Sequence, residues 1–261
     1  SITKYDIKTS HIDSKIYHLI DKLSSQDLIT STLKSNNFDS EKMPLGALGI
    51  TQVTQGRLIL TKIKSLIDTE SDDIDMFESF SSQYYSIVPC NFGKEKRLPN
   101  IDILDRYEEL NCNLDALEDI IMAGDVIKLS KSADSSINPI DAIYNSLGVK
   151  LSMIDDDSEI FDIIKSWMRN TRGSTHSYKS MTPSIIYEVH STNKIYESKF
   201  GHYTNKTLLW HGTRMINILN IFKNGLIIKP SWSSHCGSAF GDGLYFANSS
   251  SKSANYCRDG G

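Results

Sequence analysis

The 261-residue sequence holds only four cysteines and six prolines. Cys90, Cys112, Cys236 and Cys257 lie far apart, and no two stand at C-x-x-C spacing. That pattern implies neither a zinc site nor a disulfide framework. Buried or half-buried thiols are the expectation. Long apolar runs are also missing. None approaches the roughly 20 residues that cross a bilayer, and residues 1–10 lack the apolar segment of a secretory signal. No membrane partner is expected. A surplus of positive charge is absent too: 28 Lys+Arg stand against 32 Asp+Glu, a formal net charge of −4. This argues against a large phosphate-neutralising surface within these residues. The sequence opens on Ser rather than Met and reads as a piece of a longer protein.

What is present is an ordinary globular composition, 39% hydrophobic and 23% charged. The length is comfortable for two domains. Charge divides them: residues 1–137 carry 15 Lys+Arg and 22 Asp+Glu (net −7), and residues 138–261 carry 13 and 10 (net +3). The first half shows helical stripes. Ile12, Ile16, Leu19, Ile20 and Leu23 form one; Val53, Leu60, Ile63 and Ile67 a second; Ile74, Phe77, Tyr84 and Ile87 a third; Leu104, Tyr107, Leu110, Leu114, Leu117 and Ile121 a fourth. Residues 129–138 are small and polar, a loop or linker before Pro139. Beyond it Val149, Leu151 and Met153 alternate as in a strand. Asp157 is placed to cap a helix bearing Ile160, Ile163, Ile164 and Trp167. Residues 184–190 and 207–211 read as further strands, 215–224 as a helix closed by Gly225, 244–247 as a short strand, and 251–257 as a helix. The expected fold class is α+β: an N-terminal all-α bundle (1–137), then a mixed α/β domain (138–261) that is incomplete at its C-terminus.

The chemistry sits near the end, in Leu209-Trp210-His211-Gly212-Thr213-Arg214, Phe240-Gly241-Asp242-Gly243-Leu244-Tyr245-Phe246-Ala247 and Ser251-Lys252-Ser253-Ala254-Asn255-Tyr256-Cys257. Gly212 after an apolar strand lets a flat ligand approach the backbone, whose N–H and C=O offer a donor and an acceptor. A primary carboxamide such as that of nicotinamide needs both. Ser253 can add a second donor to the carboxamide oxygen. Tyr245 and Tyr256 can supply faces for a planar ring, and His211 can bond a ribose hydroxyl. Each element alone has a bland reading as a strand end or a core aromatic.

Together these segments resemble the signature of the poly(ADP-ribose) polymerases, the diphtheria-toxin-like ADP-ribosyltransferases. Lys42-Met43-Pro44-Leu45-Gly46-Ala47-Leu48 and Tyr84-Tyr85-Ser86-Ile87-Val88-Pro89-Cys90-Asn91-Phe92-Gly93 are similar to turns of the helical regulatory domain in that family's DNA-dependent, nuclear branch. The resemblance runs from about residue 10 to 257. It implies an NAD-dependent transfer of ADP-ribose to protein acceptors, itself included, as single units or polymer. It also implies a nuclear location and activation by DNA breaks read by modules outside these residues. NAD enters as substrate, and no metal is expected. His211 and Tyr245 match two members of the family's His-Tyr-Glu triad, and Lys252 the lysine beside the reaction centre. Gly212, Thr213, Asn217, Asn220, Phe246, Ala247, Ser253 and Tyr256 fall in the NAD-binding stretches. Ile227 stands where close relatives have Arg, Ser238 where they have Tyr, and Asn220 where they have Gly.

No Glu follows Glu197, so the triad Glu is not among the 261 residues. These residues alone are expected to be inactive. The alternative reading is an inactive module that binds NAD or a partner. The first half is expected to gate the NAD cleft. Asp115 and Asp119, four apart on one helix, and Glu118 on a neighbouring edge, are expected to aim carboxylates at the NAD pyrophosphate.

Overall fold

The apolar stripes of the first half coil into helices that bury most of the expected positions, but Ile74 of the third stripe is 64% exposed. A computed structural model describes residues 9–38, 49–88, 90–91, 106–131, 136–174, 181–192, 195–228, 241 and 243–257. The turn at residues 42–48, Pro89, Phe92, Gly93, Leu104, Cys236, Ser238, Phe240 and Asp242 lie outside the described residues. So do residues 132–135 of the linker read at 129–138, whose first three residues are instead the end of a helix.

The described residues divide into two compact units. One draws on Ser1–Ser25, Val126–Leu226 and Leu244–Arg258, the other on Gln26–Asp125, Ile227–Gly243 and Asp259–Gly261. The second unit is helical. It contains α2 (Gln26–Ser35), α3 (Ile50–Asp68), α4 (Ile74–Ile87) and most of α5 (Tyr107–Lys131). Asp73 caps α4 by accepting from the Met76 N–H at 3.0 Å. Val53, Leu60 and Ile63 of α3 and Leu110, Leu114 and Leu117 of α5 are buried. Each such side chain contributes about 1.5–3 kcal/mol. Tyr84 is fully buried and meets Tyr85 edge-on at 5.3 Å. Burial pushes the Tyr84 phenol well above its ordinary pKa and the Cys90 thiol up to about 11.

Two expectations are corrected in this unit. Asp115 and Glu118 are not bare acids: both face one cation. The Arg57 guanidinium donates to Asp115 at 2.6 Å and to Glu118 at 2.8 Å, and all three side chains are buried or nearly so. Burying these acids costs desolvation, which the facing Arg57 guanidinium and its hydrogen bonds offset. Cys112 is disulfide-bonded rather than a thiol, while Cys90 and Cys257 are free.

The other unit is mixed. α1 (Ser14–Leu23) is capped by Asp13, which accepts from the Lys15 N–H at 2.8 Å, and buries Ile16, Ile20 and Leu23. It packs on α6 (Pro139–Ser146). Asn138 caps α6 with Pro at its start. β1 (Val149–Ile154) pairs antiparallel with β2 (Ile186–Ser191), Val149 facing Ser191 and Ile154 facing Ile186. Between them lies α7 (Glu159–Asn170). Its cap is Ser158, not Asp157: the Ser158 hydroxyl accepts from the Phe161 N–H at 3.3 Å. The stripe turns accordingly. Phe161 is buried, while Ile160 and Ile163 are each 57% exposed.

After α8 (Ile195–Phe200), residues 207–211 and 244–247 meet in the single bridge Trp210–Ala247 rather than in regular strands. A 3₁₀ turn (Met215–Asn217) leads into α9 (Ile218–Asn224), which Gly225 ends with φ +77°. α10 spans Ser250–Ala254. The fold class is therefore α+β, a helical first part followed by helices around a two-stranded sheet.

Candidate functional site

The site grows from the junction of Trp210 with Ala247. Their backbones exchange two hydrogen bonds, at 2.8 and 2.9 Å. This sets the His211-Gly212 turn beside Tyr245 and Phe246. The Trp210 indole stacks on Trp167 of α7 with ring centroids 4.0 Å apart, and its Nε1–H donates to Thr171 Oγ1 at 3.0 Å. The same end of α7 holds α10. Ser250 Oγ donates to the Met168 carbonyl at 2.7 Å, and Ser251 Oγ accepts from the Gly173 N–H at 2.9 Å. Ser250, Ser251 and Ser253 are all buried. Trp167, Trp210 and Thr171 therefore form the frame of the site. Sequence reasoning placed Trp167 in a helix stripe and gave Thr171 no role, because a stack 43 residues apart leaves no periodic signal.

Gly212 and Ser253 come into direct contact. A Cβ on Gly212 would lie 1.8 Å from the Ser253 carbonyl oxygen and 3.3 Å from Cys257 Sγ. Only glycine permits this approach. The Gly212 N–H and C=O and the Ser253 hydroxyl have no hydrogen-bond partner among the described residues. Three polar groups at one spot are thus left unpaired.

His211 Nδ1 lies 2.9 Å from the Tyr245 carbonyl oxygen. A carbonyl only accepts, so Nδ1–H donates, and Nε2 is the acceptor of the neutral ring. The His211 and Phe246 rings are 5.4 Å apart. Tyr245 and Tyr256 expose their rings, 38% and 55% respectively, and the Tyr256 N–H donates to the Ser253 carbonyl at 3.0 Å. Lys252 is exposed on α10. Asn217 Nδ2 donates to Thr213 Oγ1 at 3.1 Å. Asn217 Oδ1 is buried without a partner among the described residues, which costs about 1–3 kcal/mol unless something donates to it. Asn220 lies on α9 and accepts from Asn224 at 2.7 Å. Contacts thus join His211, Gly212, Tyr245, Phe246, Ala247, Ser253 and Tyr256, with Thr213 and Asn217 as a second pair. Among the described residues, no group of three or more His, Cys, Asp or Glu could hold a metal ion, and no helix is long and apolar enough to cross a membrane.

A family model described as poly(ADP-ribose) polymerase, regulatory domain, matches residues 10–144. A second, the poly(ADP-ribose) polymerase catalytic domain, matches residues 158–260. Poly [ADP-ribose] polymerase of Drosophila melanogaster is 32% identical over 251 residues, 95% of this chain and 25% of that protein. Poly [ADP-ribose] polymerase 1 of Caenorhabditis elegans is 35% identical over 232 residues, 87% of this chain and 24% of its own length. Poly [ADP-ribose] polymerase 2 of Homo sapiens is 32% identical over 249 residues, covering 95% and 42%. The chain thus spans between about a quarter and two fifths of the length of these relatives.

Proposed function

The chain belongs to the poly(ADP-ribose) polymerase family, and from that premise we propose that residues 138–261 hold the nicotinamide end of NAD. Within the whole protein they serve transfer of ADP-ribose from NAD to protein acceptors, as single units or polymer. The glycosidic C–N bond to nicotinamide breaks, and an acceptor oxygen bonds to the ribose carbon. Nicotinamide leaves, and the acceptor gives up its proton. Residues 1–137 are the regulatory domain that restrains this site. DNA breaks read by other modules release it, in the nucleus.

The observation that carries the reading is the Gly212–Ser253 contact with its three unpaired polar groups. A primary carboxamide satisfies all of them: its NH₂ donates to the Gly212 carbonyl, and its oxygen accepts from the Gly212 N–H and the Ser253 hydroxyl. Tyr245 and Tyr256 cover the two faces of the ring. His211 Nε2 accepts from a ribose hydroxyl. Thr213, Asn217 and Asn220 line the adenosine side, where the buried Asn217 Oδ1 wants a donor. Phe246 and Ala247 keep the His211 turn in register. Lys252 stands beside the reacting carbon, where a cation is positioned for charge-dependent stabilisation. The 261 residues contain no Glu after Glu197. Tested alone, they bind NAD and nicotinamide mimics but give no ADP-ribosylation of labelled acceptor above background.

Titration calorimetry with benzamide tests the site. The chain binds it, and Gly212→Val removes binding because the added side chain displaces α10 from the turn. Benzamide affinity unchanged by Gly212→Val would sink the assignment.

A further inference from the structure

Outside that site, one concavity gathers positive charge. A cleft of about 450 Å³ opens along α7. Asp162, Lys165, Ser166 and Arg169 recur at three- and four-residue spacing and form one stripe on its wall. Arg172, just past the helix, adds a third cation. Among the described lining residues Asp162 is the single acid. Lys165 and Arg169 are exposed, and neither makes an ion pair with a described residue.

Like charges held around one hollow favour an anion over any other occupant. The guanidinium fork of Arg169 matches the oxygens of a phosphate group, which a lone lysine does not. Ser166 and Thr182 add hydroxyl donors, and Met168 and Met181 add apolar, polarisable walls. Cations alone would suit inorganic phosphate. Cations with two thioether walls suit a phosphate that carries a flat base. The volume is within the range of small-molecule pockets.

The geometry points to a second nucleotide site in which Lys165 and Arg169 hold the diphosphate of an ADP-ribosyl unit and Met168 and Met181 flank its base. The cleft wall is the element that anchors α10: Met168 accepts from Ser250, and the Thr171 carbonyl accepts from the Ser250 N–H at 3.2 Å. A unit held there is tied through one turn of helix to the residues carrying Ser253. The anion class rests on the cleft alone. The choice of ADP-ribosyl rests on the proposed NAD site.

Calorimetry with inorganic pyrophosphate and ADP-ribose on the 261-residue chain tests it. The double variant Lys165→Glu/Arg169→Glu loses roughly tenfold or more in pyrophosphate affinity, while benzamide affinity stays unchanged. His211→Ala, which weakens the NAD site, leaves pyrophosphate binding intact. Binding falls steeply between about 50 and 200 mM salt. Because both substituted side chains are exposed, an unchanged urea midpoint confirms folding, and Lys165→Gln/Arg169→Gln gives an intermediate loss. No pyrophosphate binding, or binding indifferent to the charge reversal, overturns the site. A glutamate-rich peptide that binds the cleft while ADP-ribose does not also overturns it. Pyrophosphate binding that depends on Lys165 and Arg169 in a chain that ignores benzamide leaves the cleft standing and removes the NAD reading.

Discussion

Gly212 is held by backbone, not by side chains: the nearest obstacle to a Cβ is the Ser253 carbonyl at 1.8 Å. A carbonyl inside α10 cannot swing aside as a flexible side chain would. Gly212→Ala should therefore displace α10 and cost about 1–3 kcal/mol of stability, the scale of overpacking. Benzamide binding is lost with it, read by urea titration and calorimetry on one sample. Ser253→Ala is the control. It removes one donor without a clash, so stability holds and affinity falls by about 0.5–1.5 kcal/mol. Tyr256→Ala should weaken the same ligand by about 1–3 kcal/mol, the loss of a stacked ring and its contact area. No loss by calorimetry would place that ring outside the site. The residues that meet around Gly212 could be picked out in the sequence because each bears a distinctive chemistry at a distinctive spacing. Their support could not. Trp167, Thr171 and Trp210 meet through the tertiary fold, and the hydroxyls of Ser250 and Ser251 look like any serine run until Met168 and Gly173 are seen beside them.

Among the elements, α3 and α5 are joined by the Arg57 trio as well as by apolar packing. Arg57→Ala strands two carboxylates in a poorly solvated place. Breaking a buried pair from one side costs about 3–5 kcal/mol, so the urea midpoint should drop sharply. Arg57→Ala combined with Asp115→Asn and Glu118→Gln should recover part of the loss, because the charges go together. An acid-side effect belongs at the start of α5. Arg106 grips Glu109 through two bonds, at 2.8 and 3.0 Å, and this bond holds the Glu109 carboxyl below its ordinary 4.5. The folded value is the lower one. The pair therefore contributes stability above about pH 4.5 and loses it as pH falls through the depressed value. Partial exposure keeps the contribution within about 1 kcal/mol. Arg106→Gln should flatten the dependence of the urea midpoint on pH just below 4.5. The helices themselves were legible: Ile16, Ile20 and Leu23, and Leu110, Leu114 and Leu117, are buried as their spacing requires. The cap of α7 was not, since Asp157 and Ser158 are both good caps and only the observed turn separates them. The strands read at 207–211 and 244–247 were not either. Alternation signals an extended chain, but a ladder also needs a partner of matching length.

At the scale of the whole molecule, the proposed restraint of the NAD site by residues 1–137 meets a structural fact about α1. That helix belongs with the unit containing the site: it packs on α6 and contacts α9. Ser10 Oγ and the His11 N–H both donate to Asp141, and the Lys15 carbonyl accepts from the Tyr187 hydroxyl at 3.2 Å. Removing residues 1–137 would therefore strip Ile16, Ile20 and Leu23 from that unit as well as removing the bundle. A cleaner cut takes out residues 26–125 and joins Ser25 to Val126 through a flexible Gly/Ser linker. If the bundle restrains NAD access through a closed state that an activator must open locally, deleting it removes that state from the equilibrium. In the full-length protein, NAD turnover without DNA should then rise strongly for the internal deletion. The larger deletion should melt at a lower temperature and gain less. Turnover without DNA that the internal deletion leaves unchanged, with the melting temperature of the remaining unit preserved, would make the bundle a docking platform rather than a gate.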